Sequence, residues 1–317
     1  MSVERLTLRV ADIVPAAEEA LVIELREPSG GELPSFTPGA HIALHLPGGL
    51  VRQYSLCNDA RERDRYRVGV GLAPASRGGS RYIHQSLRVG DLIEVTPPRN
   101  NFPLVPDAPE YVFFAGGIGI TPILSMIRWC EANQRPWKLF YLVRSRGRAA
   151  FLSQLEAYGD RLALHADDEA GGLFDVAAAV ARQSARSHFF TCGPTPLMRA
   201  VEAATQGVPA EQVHFEWFTP KEVERTRADG AFTVKLARSG RCLDVPADKS
   251  LLQVLEEHGI GIESSCREGT CASCETRVLC GIPDHRDSVL SEAERQSNRT
   301  LMVCVSRALS ETLELDL

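Results

Sequence analysis

Residues 263–274 read Glu263-Ser264-Ser265-Cys266-Arg267-Glu268-Gly269-Thr270-Cys271-Ala272-Ser273-Cys274, a C-x4-C-x2-C run, and a fourth cysteine, Cys304, stands alone further on at the end of an apolar stretch expected to be a strand. This is the ligand spacing of plant-type 2Fe-2S centres. Short intervals let one loop fold around a cluster while a distant segment closes the cage. Gly269 and the small residues Ser264, Ser265, Thr270, Ala272 and Ser273 let backbone N–H groups approach the sulfurs, where hydrogen bonds and burial tune the reduction potential. Zinc also accepts four cysteines, usually from two C-x2-C hooks. Three ligands on one loop and a single fourth fit the cluster better. Cys280 lies close enough in sequence to substitute, but it reads, with Cys57, Cys130 and Cys242, as a buried or surface thiol.

The chain around this loop has 317 residues, enough for two or three compact units. Its 44% hydrophobic and 24% charged fractions are those of an ordinary globular protein. No apolar run approaches the roughly 18–20 residues of a membrane helix, so no membrane span is expected. The start, Met-Ser-Val-Glu-Arg, lacks the features of a secretory signal, so the expected location is the cytoplasm, where nine cysteines stay reduced. A net charge of −6 argues against a nucleic-acid partner. From Phe232 to Leu317 there are 14 acidic and 10 basic residues, so −4 of that charge lies in the last stretch. Such a face could steer a basic protein partner or simply keep the surface solvated.

Three textures follow one another. From Leu6 to about Phe102, short β-prone runs (Leu6–Val10, Leu21–Leu25, Ile42–Leu46, Tyr66–Val70, Leu92–Val95) alternate with Gly- and Pro-rich turns, which predicts an antiparallel barrel or sandwich. From about Pro109 to Phe218, apolar runs (Tyr111–Ala115, Lys138–Val143, Leu162–His165, His188–Cys192, Val213–Trp217) alternate with helical patterns near 122–131, 149–157, 175–183 and 196–205. That order predicts an α/β domain with a parallel sheet, binding ligands at strand C-termini. The polar stretch Thr219–Gly230 reads as a linker long enough to let the last domain move. Beyond it, a hairpin (Phe232–Leu236, Arg241–Val245), a helix (Ser250–Glu257), the cysteine loop and closing strands (Thr276–Leu279, Thr300–Val305) make an α+β domain. The expected domains are thus 1–105, 106–220 and 231–317, with 221–230 between.

Four further motifs suggest cofactors. In Arg52-Gln53-Tyr54-Ser55-Leu56, an aromatic can lie on an isoalloxazine, a hydroxyl can reach its N5 and a guanidinium can hold phosphate. Alone, the motif is weak and better suits an ordinary strand with a paired arginine. Arg77-Gly78-Gly79-Ser80 offers a phosphate nest, or merely a loop. Gly116-Gly117-Ile118-Gly119-Ile120-Thr121-Pro122 joins a predicted strand to a helix, where backbone could approach a pyrophosphate, although it is not G-x-G-x-x-G. Cys192-Gly193-Pro194 ends another predicted strand, so Cys192 could pack inertly or face a nicotinamide.

Taken in this order, the motifs resemble the phthalate dioxygenase reductase family and look most like its vanillate O-demethylase reductase branch. Pro38–Pro47 (PGAHIALHLP), His214–Phe218 (HFEWF) and Gly281–Leu290 (GIPDHRDSVL) also look like family segments, so the resemblance covers nearly the whole chain. It implies an FMN-binding barrel, a NAD-binding domain and a C-terminal plant-type ferredoxin (β-grasp) domain. By the same resemblance Arg52, Tyr54 and Ser55 contact FMN with Val70 and Gly71, Arg77, Gly78, Gly79 and Ser80 bind its phosphate, Thr121 lies near the flavin and Phe218 covers the ring. Gly117 and Cys192 border the nicotinamide, and Gly116, Gly119 and Gly193 belong to the same cofactor-binding turns. Arg144 and Ser145 fall near the adenosine ribose, and because Ser and Arg can accept a 2'-phosphate, NADPH stays open beside NADH.

The function so implied is electron transfer by an oxygenase reductase. A nicotinamide yields two electrons as hydride and the cluster takes one at a time, a mismatch that flavin bridges. No side chain is needed as a general acid or base, and His285 reads as structural. A plant-type cluster on its own domain suits docking to a protein acceptor. The expected partner is a Rieske-type non-haem iron oxygenase or demethylase, with a cytochrome P450 as the alternative, and the reductase is expected to be a monomer. Two readings of other classes are a passive ferredoxin-type carrier and a flavin-dependent oxygenase acting directly on substrate. Steady cytochrome c reduction on adding NADH eliminates the first; the second leaves the cluster without a role.

Overall fold

The computed structural model describes residues 5–74, 76–221 and 228–317. It separates into two compact units, Met1–Phe218 and Thr219–Leu317. Most of the linker expected at 221–230 lies outside the described residues.

In the first unit, β1 (Leu6–Ala17), β2 (Ala20–Arg26), β3 (His41–Leu46), β4 (Leu50–Ser55), β5 (Tyr66–Gly71) and β6 (Leu92–Arg99) form an antiparallel sheet in the order β4-β3-β6-β1-β2-β5. A Leu56–Val68 bridge ties the end of β4 to β5 and curls the sheet towards closure. Inward-facing residues such as Leu8, Val10, Ile23, Leu25, Ile42, Leu44, Val68 and Val70 fill its interior, as the period-two alternation of strands requires.

The second sheet of this unit is wholly parallel. Its strands β7 (Glu110–Gly116), β8 (Trp137–Val143), β9 (Leu162–Ala166), β10 (Ser187–Cys192) and β11 (Val213–Glu216) run in the order β11-β10-β7-β8-β9. The continuous apolar run of β7 follows from burial on both faces. Tyr111, Phe113 and Ala115 join Ile123, Leu124 and Ile127 of the helix Ile120–Ala132, whereas Val112 and Phe114 pack with Val176 and Val180 of one helix and Leu197 and Val201 of another. The first of these cores also takes in Ala20, Val22 and Cys57 from the barrel, so barrel and parallel sheet share apolar packing.

The second unit contains β12 (Phe232–Leu236), β13 (Cys242–Val245), β14 (Glu275–Cys280), β15 (Pro283–Asp284), β16 (Thr300–Met302), β17 (Arg307–Ala308) and β18 (Thr312–Leu315). Five of them make a mixed sheet, β13-β12-β18-β14-β16, in which β12 and β18 are parallel; β15 pairs with β17. The helix Leu251–Glu257 begins with a capping box between Ser250 and Gln253 and buries Leu251, Leu252, Val254 and Leu255 against the sheet, a β-grasp arrangement.

Two expectations need correction, and one strand was missed. The strand predicted to run to Val305 stops at Met302, because Val305 and Ser306 both return their N–H groups to Met302 O. Cys304 therefore sits on a turn rather than at a strand end. The helix expected over 149–157 shrinks to Leu152–Leu155, followed by a 3-10 segment to Arg161, because Phe151 adopts φ 62° and cannot start the helix earlier. The strand β18, central to the last sheet, was not predicted.

Candidate functional site

On β4, Arg52 reaches back to the glycine turn. Its Nη1 donates to Val51 O at 2.9 Å and its Nη2 to Arg77 O at 2.7 Å. The turn itself closes on the arginine: a Cβ at Gly79 would lie 2.5 Å from Arg52 Cγ and 3.0 Å from its Nε. Gly78, at φ +93°, precedes the helix Gly79–Gln85. Ser80 Oγ donates to Ser76 Oγ at 2.9 Å and accepts from Ala73 N at 3.2 Å. Guanidinium, hydroxyl and close backbone converge here, a set that fits a phosphate.

Tyr54 packs against the barrel core, and burial pushes its phenol up to about 12. The buried Ser55 turns the other way along the strand and donates to Glu216 Oε2 at 3.2 Å. Val70 points into the barrel core with no exposed surface, so only its backbone is available to a ligand, and its carbonyl already faces His84 Nε2 at 2.9 Å. Gly71 follows it at the end of β5.

Because the second sheet is parallel, Gly116, Arg144, Cys192 and Glu216 all fall at one edge, the strand C-termini. The two glycine turns at this edge interlock. A Cβ on Gly193 would come within 2.9 Å of Gly116 Cα and N, and one on Gly119 would run into the Cys192 carbonyl. Only glycine permits this approach. Gly117 O accepts from the buried Tyr141 hydroxyl at 3.1 Å. Thr121 is buried at the start of its helix, with Oγ1 donating to Ile118 O and its methyl lying over Gly69 of β5. Arg144 is exposed just beyond β8, and Ser145 is half-buried. Phe218 ends the first unit with 41% of its surface exposed.

Glu216 was not singled out from the sequence. Its carboxylate meets Ser55 Oγ and lies 4.0 Å from Cys192 Sγ. Desolvation lifts it to about 8, against the opposing pull of the Ser55 hydrogen bond. Burial, and then the neighbouring Glu216, hold the Cys192 thiol well above its ordinary value and so keep it neutral. The signal available was a lone carboxylate in an otherwise aromatic strand, HFEWF.

In the second unit the loop 266–274 gathers three of the thiols, with Cys271, Cys274 and Cys304 buried and Cys266 half-buried. Glu268 N and Thr270 N donate to Cys266 Sγ at 3.3 and 3.4 Å, and Ser273 N approaches Cys271 Sγ at 3.5 Å. The thiols of Cys271 and Cys304 hydrogen-bond to Cys266 and pull it down towards thiolate; Cys304 does the same for Cys274. Among the described residues no three His, Cys, Asp or Glu side chains converge as on a single bound ion. Backbone N–H groups are aimed at the sulfurs of Cys266 and Cys271, and this four-cysteine donor set fits a 2Fe-2S cluster. Cys280 and Cys242 are exposed, and Cys57 and Cys130 are buried, all apart from this group.

A one-electron centre in one unit and a phosphate turn beside paired glycine turns in the other are the parts of an NAD(P)H-dependent iron-sulfur flavoprotein reductase. Comparison with known proteins agrees. Residues 234–309 match the 2Fe-2S iron-sulfur cluster binding domain. The chain is 47% identical to the phenoxybenzoate dioxygenase subunit beta of Ectopseudomonas oleovorans, covering 98% of this chain and 97% of that one. It is 44% identical to the vanillate O-demethylase oxidoreductase of Pseudomonas putida, over 90% and 92%. Among solved structures, phthalate dioxygenase reductase, a modular structure for electron transfer from pyridine nucleotides to 2Fe-2S, superposes with a TM-score of 0.73 at 39% identity, over 99% and 98%. An intact type IV self-sufficient cytochrome P450 monooxygenase gives 0.92 at 39% identity, over 99% of this chain and 41% of that one. The chain belongs to the phthalate dioxygenase reductase family. Among the described residues no helix is long and apolar enough to cross a membrane.

Proposed function

We propose that this chain is the reductase component of a multicomponent oxygenase or demethylase, taking hydride from NAD(P)H onto FMN and delivering electrons one at a time through a 2Fe-2S cluster to a Rieske-type non-haem iron oxygenase. The observation that carries this reading is the match, along 97% of its length, to a protein named as a subunit of a dioxygenase. FMN binds in the barrel of 1–105, the nucleotide in 106–220, and the cluster in 231–317 beyond the 221–230 connection. The reductase works as a monomer in the cytoplasm.

Arg52 and the Arg77–Ser80 turn hold the single phosphate, with Tyr54, Ser55, Thr121, Phe218 and the Val70–Gly71 backbone around the ring. Gly116, Gly117, Gly119, Cys192 and Gly193 leave room for the nicotinamide, and Arg144 and Ser145 stand by the adenosine ribose. When bound, flavin supplies the conversion between paired and single electrons. The protein's part is to orient the two rings and exclude water, which the interlocked glycine turns and neutral Cys192 thiol suit. Cys266, Cys271, Cys274 and Cys304 hold the cluster, and their loop forms the docking face.

A cytochrome P450 acceptor is the second reading, favoured by the likeness to the self-sufficient monooxygenase. Anaerobic titration with NADH, and separately NADPH, followed by visible absorption and electron paramagnetic resonance, tests the core of the proposal. Flavin bleaching with a reduced 2Fe-2S signal is expected. Bleaching without that signal refutes it. Turnover with a purified Rieske oxygenase or with a P450 then separates the two acceptors.

A further inference from the structure

Gly269, in the middle of the cysteine loop, meets two other segments at once. A Cβ there would lie 2.6 Å from Cγ2 of Val305, the residue after Cys304, and 2.9 Å from Asp287 Cα. Its carbonyl accepts the Ser288 N–H at 2.8 Å. Residues 287–288 thus rest directly on the loop that carries Cys266 and Cys271.

Asp287 is fully buried. Its Oδ1 accepts the N–H groups of Val289 at 2.9 Å and Leu290 at 2.7 Å, folding 287–290 into a tight turn. Arg295 braces that turn from outside, donating from Nη2 to Asp287 O and from Nε to Leu290 O at 3.1 Å, with Nη2 3.6 Å from Oδ1. Among the described residues Oδ2 is buried without a hydrogen-bond partner. An asparagine could accept the same two N–H bonds without a charge, so the turn alone does not require a carboxylate.

We propose that Asp287 is a positioning residue of the 2Fe-2S cluster, that it seats the Cys266–Cys271 loop through Gly269, and that its buried charge, partly offset by Arg295, holds the cluster's reduction potential low. The inference rests on the cluster assignment. Reduction adds negative charge to the cluster, so a buried carboxylate nearby opposes it and a guanidinium favours it, in a medium that screens weakly.

The test uses the full-length holoprotein, with redox titration followed by electron paramagnetic resonance on Asp287→Asn, Arg295→Gln and the double variant. Asp287→Asn is expected to shift the midpoint positive and Arg295→Gln negative, each by up to about tenfold in the one-electron equilibrium, ~59 mV. The double variant is expected to return towards the unmodified value. Shifts in the same direction, or none, overturn the proposal, because a brace that only holds shape would loosen the loop alike in both. If Asp287→Asn retains no cluster, Arg295→Gln decides: a negative shift at full cluster content supports the proposal, and no shift or a positive one overturns it. Failure of the cluster assignment looks different, since the unmodified protein would then show no 2Fe-2S signal.

Discussion

Ser55 Oγ donates a hydrogen bond across 3.2 Å to Glu216 Oε2, joining the end of barrel strand β4 to the end of β11 in the parallel sheet. The bond lowers a carboxyl that burial has raised to about 8. A raised acid binds its proton in the folded state over a window where the unfolded chain has lost it, so its stabilising effect is complete below about 4.5 and is lost as pH rises through 8. In flavin-free protein, Glu216→Gln is expected to remove that fall and to be more stable than the unmodified chain at pH 9 by up to about 5 kcal/mol. Tryptophan fluorescence in urea reads this cleanly, because Trp129, Trp137 and Trp217 all lie in the first unit. An unchanged pH profile would show that Glu216 ionises freely.

The opposite sign is expected two residues earlier on the same strand. His214 stacks on Phe190 at 4.3 Å between centroids and lies beside His188, whose Nδ1 is 3.3 Å from its Nε2. Burial, then His188, lowers His214 to about 4 from 6.5. The stability held by the neutral ring is present above 6.5 and is lost as pH falls towards 4. His214→Phe keeps an aromatic stack and removes the titration, so the acid limb of the unfolding curve should flatten by roughly 2 kcal/mol between those pH values.

Much of this was readable in advance where local chemistry dictates structure. The C-x4-C-x2-C spacing, the apolar run of β7 entering a glycine turn, and the helical pattern from Ser250 to Glu257 are each short-range patterns. What escaped depends on distant partners. Thr312–Leu315 is only four residues long, and it becomes the centre of a sheet because β12, some 80 residues earlier, pairs parallel with it. Glu216 gains its character from burial by segments distant in sequence, among them the strand end that carries Ser55. Val70 lies in a β-run as expected, but the phase of the alternation, which puts its side chain in the core, is fixed by the register with β2.

The glycine turns allow flavin and nucleotide binding to be separated. Gly79→Ala pushes a methyl into Arg52 Cγ and should lower the flavin retained per chain severalfold, measured by absorbance after gel filtration. Gly193→Ala sets a methyl 2.9 Å from the backbone of Gly116, which cannot move as a side chain would. It is expected to keep its flavin and to raise the KM for NADH at least tenfold, a loss of about 1.4 kcal/mol. Equal flavin loss in both variants would show that the two turns are not separate sites.

Cluster ligation is tested by a pair of serine variants. Cys271→Ser is expected to abolish the 2Fe-2S signal and cytochrome c reduction while leaving NADH-to-flavin reduction within a factor of about two. Cys280, exposed at the end of β14, should tolerate the same change with no spectral effect. Loss of the cluster in Cys280→Ser would reassign the fourth ligand.

Stability of the second unit is expected to hinge on Arg307. Only 5% exposed, it donates from Nη1 to Lys249 O at 2.6 Å and from Nη2 to Gly230 O at 2.9 Å and Pro246 O at 3.0 Å, with its guanidinium 5.2 Å over the Phe232 ring. One side chain thereby closes the start of β12, the turn after β13 and the approach to the Leu251–Glu257 helix. Its role is geometric, since a planar fork can reach three carbonyls that a single ammonium cannot. Arg307→Ala leaves those carbonyls short of a donor and should cost about 2–4 kcal/mol of unfolding free energy. Arg307→Lys keeps the charge but not the fork, and should recover less than half of that loss. Because the second unit has no tryptophan, far-ultraviolet circular dichroism and loss of cluster absorbance are the measurements, and full rescue by lysine would show that charge rather than geometry matters there.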